Sequence, residues 1–360
     1  MPAGIKTSSR VTHMAAACLS LVCGTAATSL LPGVTSSASA TPAQDKRGTW
    51  TLQGENDAIT TLKGTSDQYY TSGLRFNWTS GTDTLPAPIA AINKAIWGDG
   101  VQRISLGVQQ MIFTPRDTQL SSPWAAGQPH NSLLRDRPYS SLLLGTINLI
   151  NDTDRTRSVF GVQFGVMGPA AQGRQLQNGF HSLIGDTPNQ GWSHQLQNQI
   201  IFQVQGGRTW RLPLVQLGGI ELDTLPSASA AIGDYQIYGR LGDIFRIGQG
   251  LDSDFGTPTI QSSVTDGGDA YKSRRPVSWY VFGGVSGEAV AYDASLEGNT
   301  MRSNSLHVDK KWDVGEIHAG AAVMFRGLRI SFSQTWQTQQ FDGAKSGLFN
   351  YGSLMVSTKF

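Results

Sequence analysis

The run Thr71-Ser72-Gly73-Leu74-Arg75-Phe76-Asn77-Trp78-Thr79 alternates without a break. Ser72, Leu74, Phe76 and Trp78 fall on one side of an extended strand and Thr71, Gly73, Arg75, Asn77 and Thr79 on the other, because side chains in a strand change face at each residue. One face suits lipid and the other suits water. The same rhythm recurs outward along the chain. Ile104, Leu106, Val108 and Ile112 alternate with Arg103, Ser105, Gly107 and Gln109, and Leu328, Ile330, Phe332 and Trp336 alternate with Arg329, Ser331, Ser333, Thr335 and Gln337. At the far end Leu354, Val356, Thr358 and Phe360 alternate with Met355, Ser357 and Lys359, and a terminal aromatic after such a strand resembles an outer-membrane assembly signal.

Similar runs cover about 47–56, 71–80, 101–113, 140–149, 157–167, 194–205, 209–222, 234–247, 277–289, 316–326, 328–338 and 352–360. Beyond the N-terminal region no apolar stretch approaches the ~18 residues of a transmembrane helix, but barrels hide their hydrophobicity in period-2 strands. The expected fold is all-β, an antiparallel transmembrane β-barrel of about 12 strands with a short helix in an extracellular loop. A soluble β-sandwich is the alternative. Gly206-Gly207 and Arg326-Gly327 read as tight hairpin turns. Pro86 to Trp97 reads as a short interfacial helix, and Tyr139, Trp192 and Trp210 as members of an aromatic girdle. With both termini in the periplasm, the loops 57–70, 114–139, 168–193, 223–233, 290–315 and 339–351 face the cell exterior. The long inner loops 81–100 and 248–276 sit awkwardly with that scheme, since periplasmic turns are short.

Lys6 and Arg10 precede an apolar run from Met14 to Val22, and Ala38-Ser39-Ala40 is a small-residue cleavage site, so 1–40 reads as a secretory signal and 41–360 as the barrel. Both cysteines, Cys18 and Cys23, fall inside that signal, which leaves the mature chain without a thiol or disulfide. Without Lys6 and Arg10 the 28 basic residues become 26, against 26 acidic ones. Such a neutral chain with no basic block gives no support for nucleic-acid binding.

The chemistry concentrates in two places. In Gln175-Leu176-Gln177-Asn178-Gly179-Phe180-His181-Ser182-Leu183-Ile184-Gly185, helical spacing puts Gln177 and Asn178 on the face of His181, with Leu176, Phe180, Leu183 and Ile184 as an apolar support. The plainer alternative is a helix lying on a β-surface with its histidine solvated. Glu55-Asn56-Asp57 and the run from Ser66 to Leu74 collect carboxylate, amide and hydroxyl oxygens around one hairpin, a donor set that suits Ca²⁺ and also suits an ordinary turn. Strand parity groups Asn56 with Trp50 and Leu52 on the lipid face, opposite Asp57, unless a bulge intervenes. Ser140 and Ser141 lack a Gly-x-Ser-x-Gly elbow, and Asp136-Arg137 reads as a structural ion pair.

Taken in order, Glu55-Asn56-Asp57, Tyr70-Thr71-Ser72-Gly73, Ile112-Phe113-Thr114-Pro115, Asp136-Arg137-Pro138-Tyr139-Ser140, Gly165-Val166-Met167-Gly168-Pro169, Gln177-Asn178 to His181, Gly191-Trp192-Ser193-His194-Gln195-Leu196 and Asp254-Phe255-Gly256 resemble the outer-membrane lipid A 3′-O-deacylases over most of the mature chain. The resemblance implies a 12-stranded barrel with a Ca²⁺-dependent site between its wall and the histidine-bearing helix. It implies His181 as the base, Gln177 and Thr71 beside it, Asn56 and Asp57 as metal residues, and lipid A of the outer leaflet as substrate, acted on by a monomer with its site facing the exterior. The chain departs from the family's Asp-Arg by carrying Asp67-Gln68, and its 114–139 loop has no lysine. A catalytically silent porin-like or structural barrel, or a phospholipase acting on glycerophospholipids, are the alternative functions.

Overall fold

A computed structural model describes residues 45–59, 67–116, 118, 136–261 and 276–360. Fourteen strands form one antiparallel sheet: β1 (Thr49–Asn56), β2 (Tyr69–Thr79), β3 (Val101–Thr114), β4 (Ser140–Asp152), β5 (Thr156–Met167), β6 (Gln199–Trp210), β7 (Leu212–Leu217), β8 (Ile220–Thr224), β9 (Ser227–Gly233), β10 (Gln236–Gln249), β11 (Val277–Asp293), β12 (Asp313–Phe325), β13 (Leu328–Gln337) and β14 (Phe349–Lys359). The sheet closes where β1 pairs with β14, Thr49 opposite Lys359 and Asn56 opposite Gly352. Twelve strands make the ring, because β7 and β8 hang from β10 as a side hairpin below β9. Among the described residues three α-helices are added: α1 (Ala87–Trp97), α2 (Gly173–Ile184) and α3 (Ala294–Glu297).

The alternation read from the sequence is the alternation of the wall. Leu52, Leu74, Phe76, Val108, Phe164 and Phe202 are exposed on the outside, while Gln53, Arg75, Asn77, Arg103 and Ser105 are buried inside. Two expectations fail around β6. Gly206-Gly207 lies within β6, paired with Phe160 and Val159, and the hairpin turn comes later, at Gly218-Gly219, whose φ angles of 56° and 89° are the left-handed values a two-residue turn demands. The expected exterior loop 223–233 is largely strand β9, and Asp234-Tyr235 make the tight connection at that end. Arg326-Gly327 does form the expected turn, with φ angles of 49° and 92°.

The inside is filled. After β10 the chain turns back into the lumen, where Asp254 accepts from Arg246 Nη1 at 2.6 Å, Arg329 Nε at 2.9 Å and the Tyr280 hydroxyl at 2.8 Å, all four residues being buried. Phe255 lies between the guanidinium groups of Arg157 and Arg211, 5.0 and 4.0 Å from its ring centre. Further along, the Pro258 carbonyl accepts from Gln53 Nε2 at 2.9 Å and the Ile260 amide donates to Glu55 at 2.8 Å. Residues 250–261 therefore climb the lumen from the end holding the termini toward the opposite rim. There Ile260 joins a buried apolar cluster with Tyr70, Phe113, Leu144, Leu296, Phe341 and Tyr351. As far as residue 261 the inner loop is a filler and not a turn. α1 lies across the termini end, where its buried Asn93 donates to the Ile150 carbonyl at 2.9 Å.

Candidate active site

The odd feature of the wall is a patch of its outer face that is buried. Gln110, Ile112 and Thr114 share the outward-pointing set of β3 with the exposed Leu106 and Val108, yet all three are covered. The cover is the segment after β5. Gly168 (φ 99°) turns it, the Ser141 hydroxyl donates to the Gly168 carbonyl at 3.2 Å, and Gln110 Nε2 donates to the Ala171 carbonyl at 2.6 Å. Helix α2 follows and ends at Gly185, whose left-handed φ of 77° frees its amide to bond the His181 carbonyl. Gly173 lets the helix touch the wall, since a β-carbon there would sit 2.4 Å from Ser141 Cβ and 2.8 Å from Trp192. Tyr139 and Trp192 are buried against each other with rings 4.9 Å apart, packed with Ile112. They are the pedestal of α2 rather than part of a girdle, while Trp210 keeps a partly exposed place on the wall.

Between helix and wall lies the histidine. His181 is 6% exposed and Gln177 5%, so the polar face of α2 is the covered one. This reverses the expected support: the apolar side chains point away from the wall. His181 Nδ1–H donates to the Thr187 carbonyl at 2.9 Å, and Nε2 lies 2.9 Å from Asp67 Oδ2. The same carboxylate oxygen accepts from Gln177 Nε2 at 3.0 Å and Asn189 Nδ2 at 2.9 Å, and Trp192 Nε1 donates to Gln177 Oε1 at 2.8 Å. Asn178 bonds the backbone of Asn189 in both directions, at 3.2 and 2.9 Å, instead of joining His181.

Asp57 follows β1 directly and is fully buried, and its Oδ2 accepts from the Gln68 amide at 2.8 Å. A bulge in β2 leaves Thr71 as the extra residue between Tyr70 and Ser72, and its hydroxyl reaches Thr114 Oγ1 at 2.7 Å. The Thr71 carbonyl accepts from the Asp57 amide at 3.2 Å. Asp57, Thr71, Gln177 and His181 are thus gathered at one rim beside Asp67. Asn56 stays on the outward side in regular register, where its Oδ1 accepts from the Ala58 amide at 2.7 Å. Sequence reasoning counted Asp67 only as one oxygen donor in the run before Tyr69-Tyr70-Thr71, without its partnership with His181, and passed over Thr187, Asn189 and Thr114 as members of the site. Asp136 and Arg137 do not form the expected pair. Asp136 accepts from the amides of Arg116 and Arg137, both at 2.8 Å, while the Arg137 guanidinium bonds Ser295 and Gln340 and lies over Phe113.

The donor set fits a hard cation such as Ca²⁺. Burial pushes the Asp57 carboxyl well above the usual carboxylate range, and the charge of Asp67 pushes it the same way; a cation would offset both costs. Among the described residues no group of three or more His, Cys, Asp or Glu gathers, so hydroxyl, carbonyl and water oxygens would complete the shell, which Ca²⁺ accepts.

The family model described as outer membrane protein LpxR matches residues 17–360. Among solved structures, LpxR from Salmonella typhimurium aligns with a TM-score of 0.70 at 20% identity, covering 87% of this chain and 100% of that one. A NanC porin (TM-score 0.34, 7% identity, 86% and 100% coverage) and the β-domain of the Bordetella autotransporter BrkA (0.43, 9%, 88% and 100%) are much more distant. No curated protein matches the chain by sequence. With its closed ring of twelve strands, the chain is an integral outer-membrane β-barrel and belongs to the LpxR family.

Proposed function

We propose that the protein is a lipid A 3′-O-deacylase, an ester hydrolase acting on the outer leaflet from a site at the exterior rim. The observation that carries this reading is the His181–Asp67 pair buried between the outer face of the wall and α2, beside Asp57 and Thr71. A hydrolytic site on the outside of a filled barrel meets lipid sideways, and a porin has no use for one.

The Thr187 carbonyl holds the proton of His181 on Nδ1 and so leaves Nε2 as the basic nitrogen. Nε2 meets Asp67 directly at 2.9 Å, a contact that holds a proton; once that proton has left, a water takes its place between the two groups, gives its own proton to Nε2 and attacks the acyl carbonyl carbon. Asp67, anchored by Gln177 and Asn189, then steadies the imidazolium. The proton passes to the departing sugar hydroxyl as the tetrahedral centre collapses, and the fatty acid leaves. Ca²⁺, when bound by Asp57 with oxygen donors near Thr71, supplies electrophilic stabilisation of the oxyanion. Asn56 holds the turn that places Asp57.

The test is incubation of the purified barrel with lipopolysaccharide in Ca²⁺, followed by mass analysis of lipid A. Loss of one 3′-linked acyl chain is expected, reversibly stopped by a Ca²⁺-selective chelator. An unchanged lipid A alongside hydrolysed glycerophospholipid would replace the reading by phospholipase, and no hydrolysis of either would end it.

A further inference from the structure

Helix α2 has three faces. Gly173, Gln177 and His181 lie on the wall. Leu176, Phe180, Leu183 and Ile184 follow one flank and are 47%, 55%, 82% and 58% exposed. Arg174, Gln175 and Ser182 occupy the other flank, also exposed. Among the described residues four large apolar side chains of a 12-residue helix stay largely exposed, yet the segment leading into the helix is held by Ser141 and Gln110 and the helix itself by Trp192, so they are not left out by looseness. What adjoins them is the barrel's own lipid surface. The covered patch on β3 and β4 passes directly into the exposed Val108, Leu143 and Phe164, and the segment ends in β6 with Ile200 at 80% and Phe202 at 54% exposure.

We propose that α2 is an interfacial membrane helix: its Leu176, Phe180, Leu183 and Ile184 flank is seated among the acyl chains of the leaflet surrounding the barrel, with the Arg174, Gln175 and Ser182 flank in the headgroup water. A helix that is apolar on one flank and polar on the other lies in the plane of a membrane interface, and its hold scales with the apolar area it buries there. Continuity with the barrel belt selects acyl chains over a protein partner. Seating fixes the depth of His181 at the level where chains meet headgroups, which is where ester bonds lie. The seating rests on the barrel fold; its service to catalysis rests on the deacylase reading.

A nitroxide is placed on the full chain at Leu183→Cys or, separately, at Ser182→Cys, in phosphatidylcholine nanodiscs free of lipopolysaccharide, with the unsubstituted chain as labelling control. Collision rates with oxygen and with a water-soluble nickel chelate are then compared. Oxygen should dominate at Leu183 and nickel at Ser182. Nickel reaching Leu183 as freely as Ser182 would overturn the seating, whatever the enzyme does. For the catalytic part, the double variant Leu176→Gln with Leu183→Gln, checked for a heat-modifiable barrel, should turn over vesicle-embedded lipopolysaccharide about 10-fold more slowly while keeping its rate on detergent-dispersed substrate. Equal rates on vesicles would remove the link to catalysis. A wild-type protein inactive on both substrates would instead count against the deacylase, leaving the nitroxide result to stand alone.

Discussion

At His181 each ring nitrogen faces an oxygen, the Thr187 carbonyl on one side and Asp67 on the other. A carbonyl cannot donate, so Nδ1 carries a proton, and the nitrogen left for proton transfer is the one that Asp67 guards. Replacing His181 by Ala is expected to leave a heat-modifiable barrel and to lower deacylation at least ~10²-fold, the usual scale for a lost general base; full activity would remove it from the mechanism. Asp67→Asn keeps the shape and removes the charge that steadies the imidazolium. A smaller loss, roughly 10-fold, is expected in turnover with binding of lipopolysaccharide unchanged. His181 was legible in the sequence because helical spacing set Gln177 beside it. Asp67 was legible only as one donor in an oxygen-rich run, since its partners come from α2 and the turn after it, more than a hundred residues away, and no local pattern records that meeting.

At the scale of the element, amphipathic spacing announced α2 but gave the wrong face to the wall. The pattern shows that a helix has two sides and says nothing about the medium on each. In water the apolar side would be covered; beside a lipid belt the polar side is. Gly-Gly pairs misled in a similar way, because Gly206-Gly207 satisfies close strand packing, a β-carbon on Gly207 lying 3.0 Å from Ser229, while Gly218-Gly219 makes the turn. The contact of α2 with the wall gives its own test. Gly173→Val puts carbon where Ser141 and Trp192 already stand, so the helix is pushed outward and His181 moves off Asp67. Deacylation should fall by at least ~10-fold with barrel assembly intact, as small misplacements of reacting groups cost rate steeply. Retained activity would show that the wall does not position the helix.

For the whole molecule, the twelve-strand ring and its inside-out alternation were readable because each strand carries them locally; the filled lumen was not, because Asp254 owes its place to Arg329 on β13, 75 residues further on, as well as to Arg246 of the preceding strand. Beside the filler lies a cavity of about 80 Å³ bordered by Thr257, Thr259, Phe282 and His318. In planar bilayers the protein should show no steady ion conductance, and a stable open channel would contradict the filled interior. Asp254→Ala takes the carboxylate partner from buried Arg329 and leaves Arg246 to Asp223 alone, and should destabilise the barrel by about 3–5 kcal/mol in urea titrations.

The filler also has a history. It lies between β10 and β11 in the chain but is gripped by Gln53 and Glu55 of β1, the strand that meets β14 when the ring shuts. These contacts tie residues 250–261 to the seam strand, and the order of assembly we predict from them is wall, then contents, then seam. Asp254→Ala should accordingly lengthen the delay before the compact, heat-modifiable band appears during refolding into detergent, and a time course identical to that of the unsubstituted chain would show that closure does not wait for the contents.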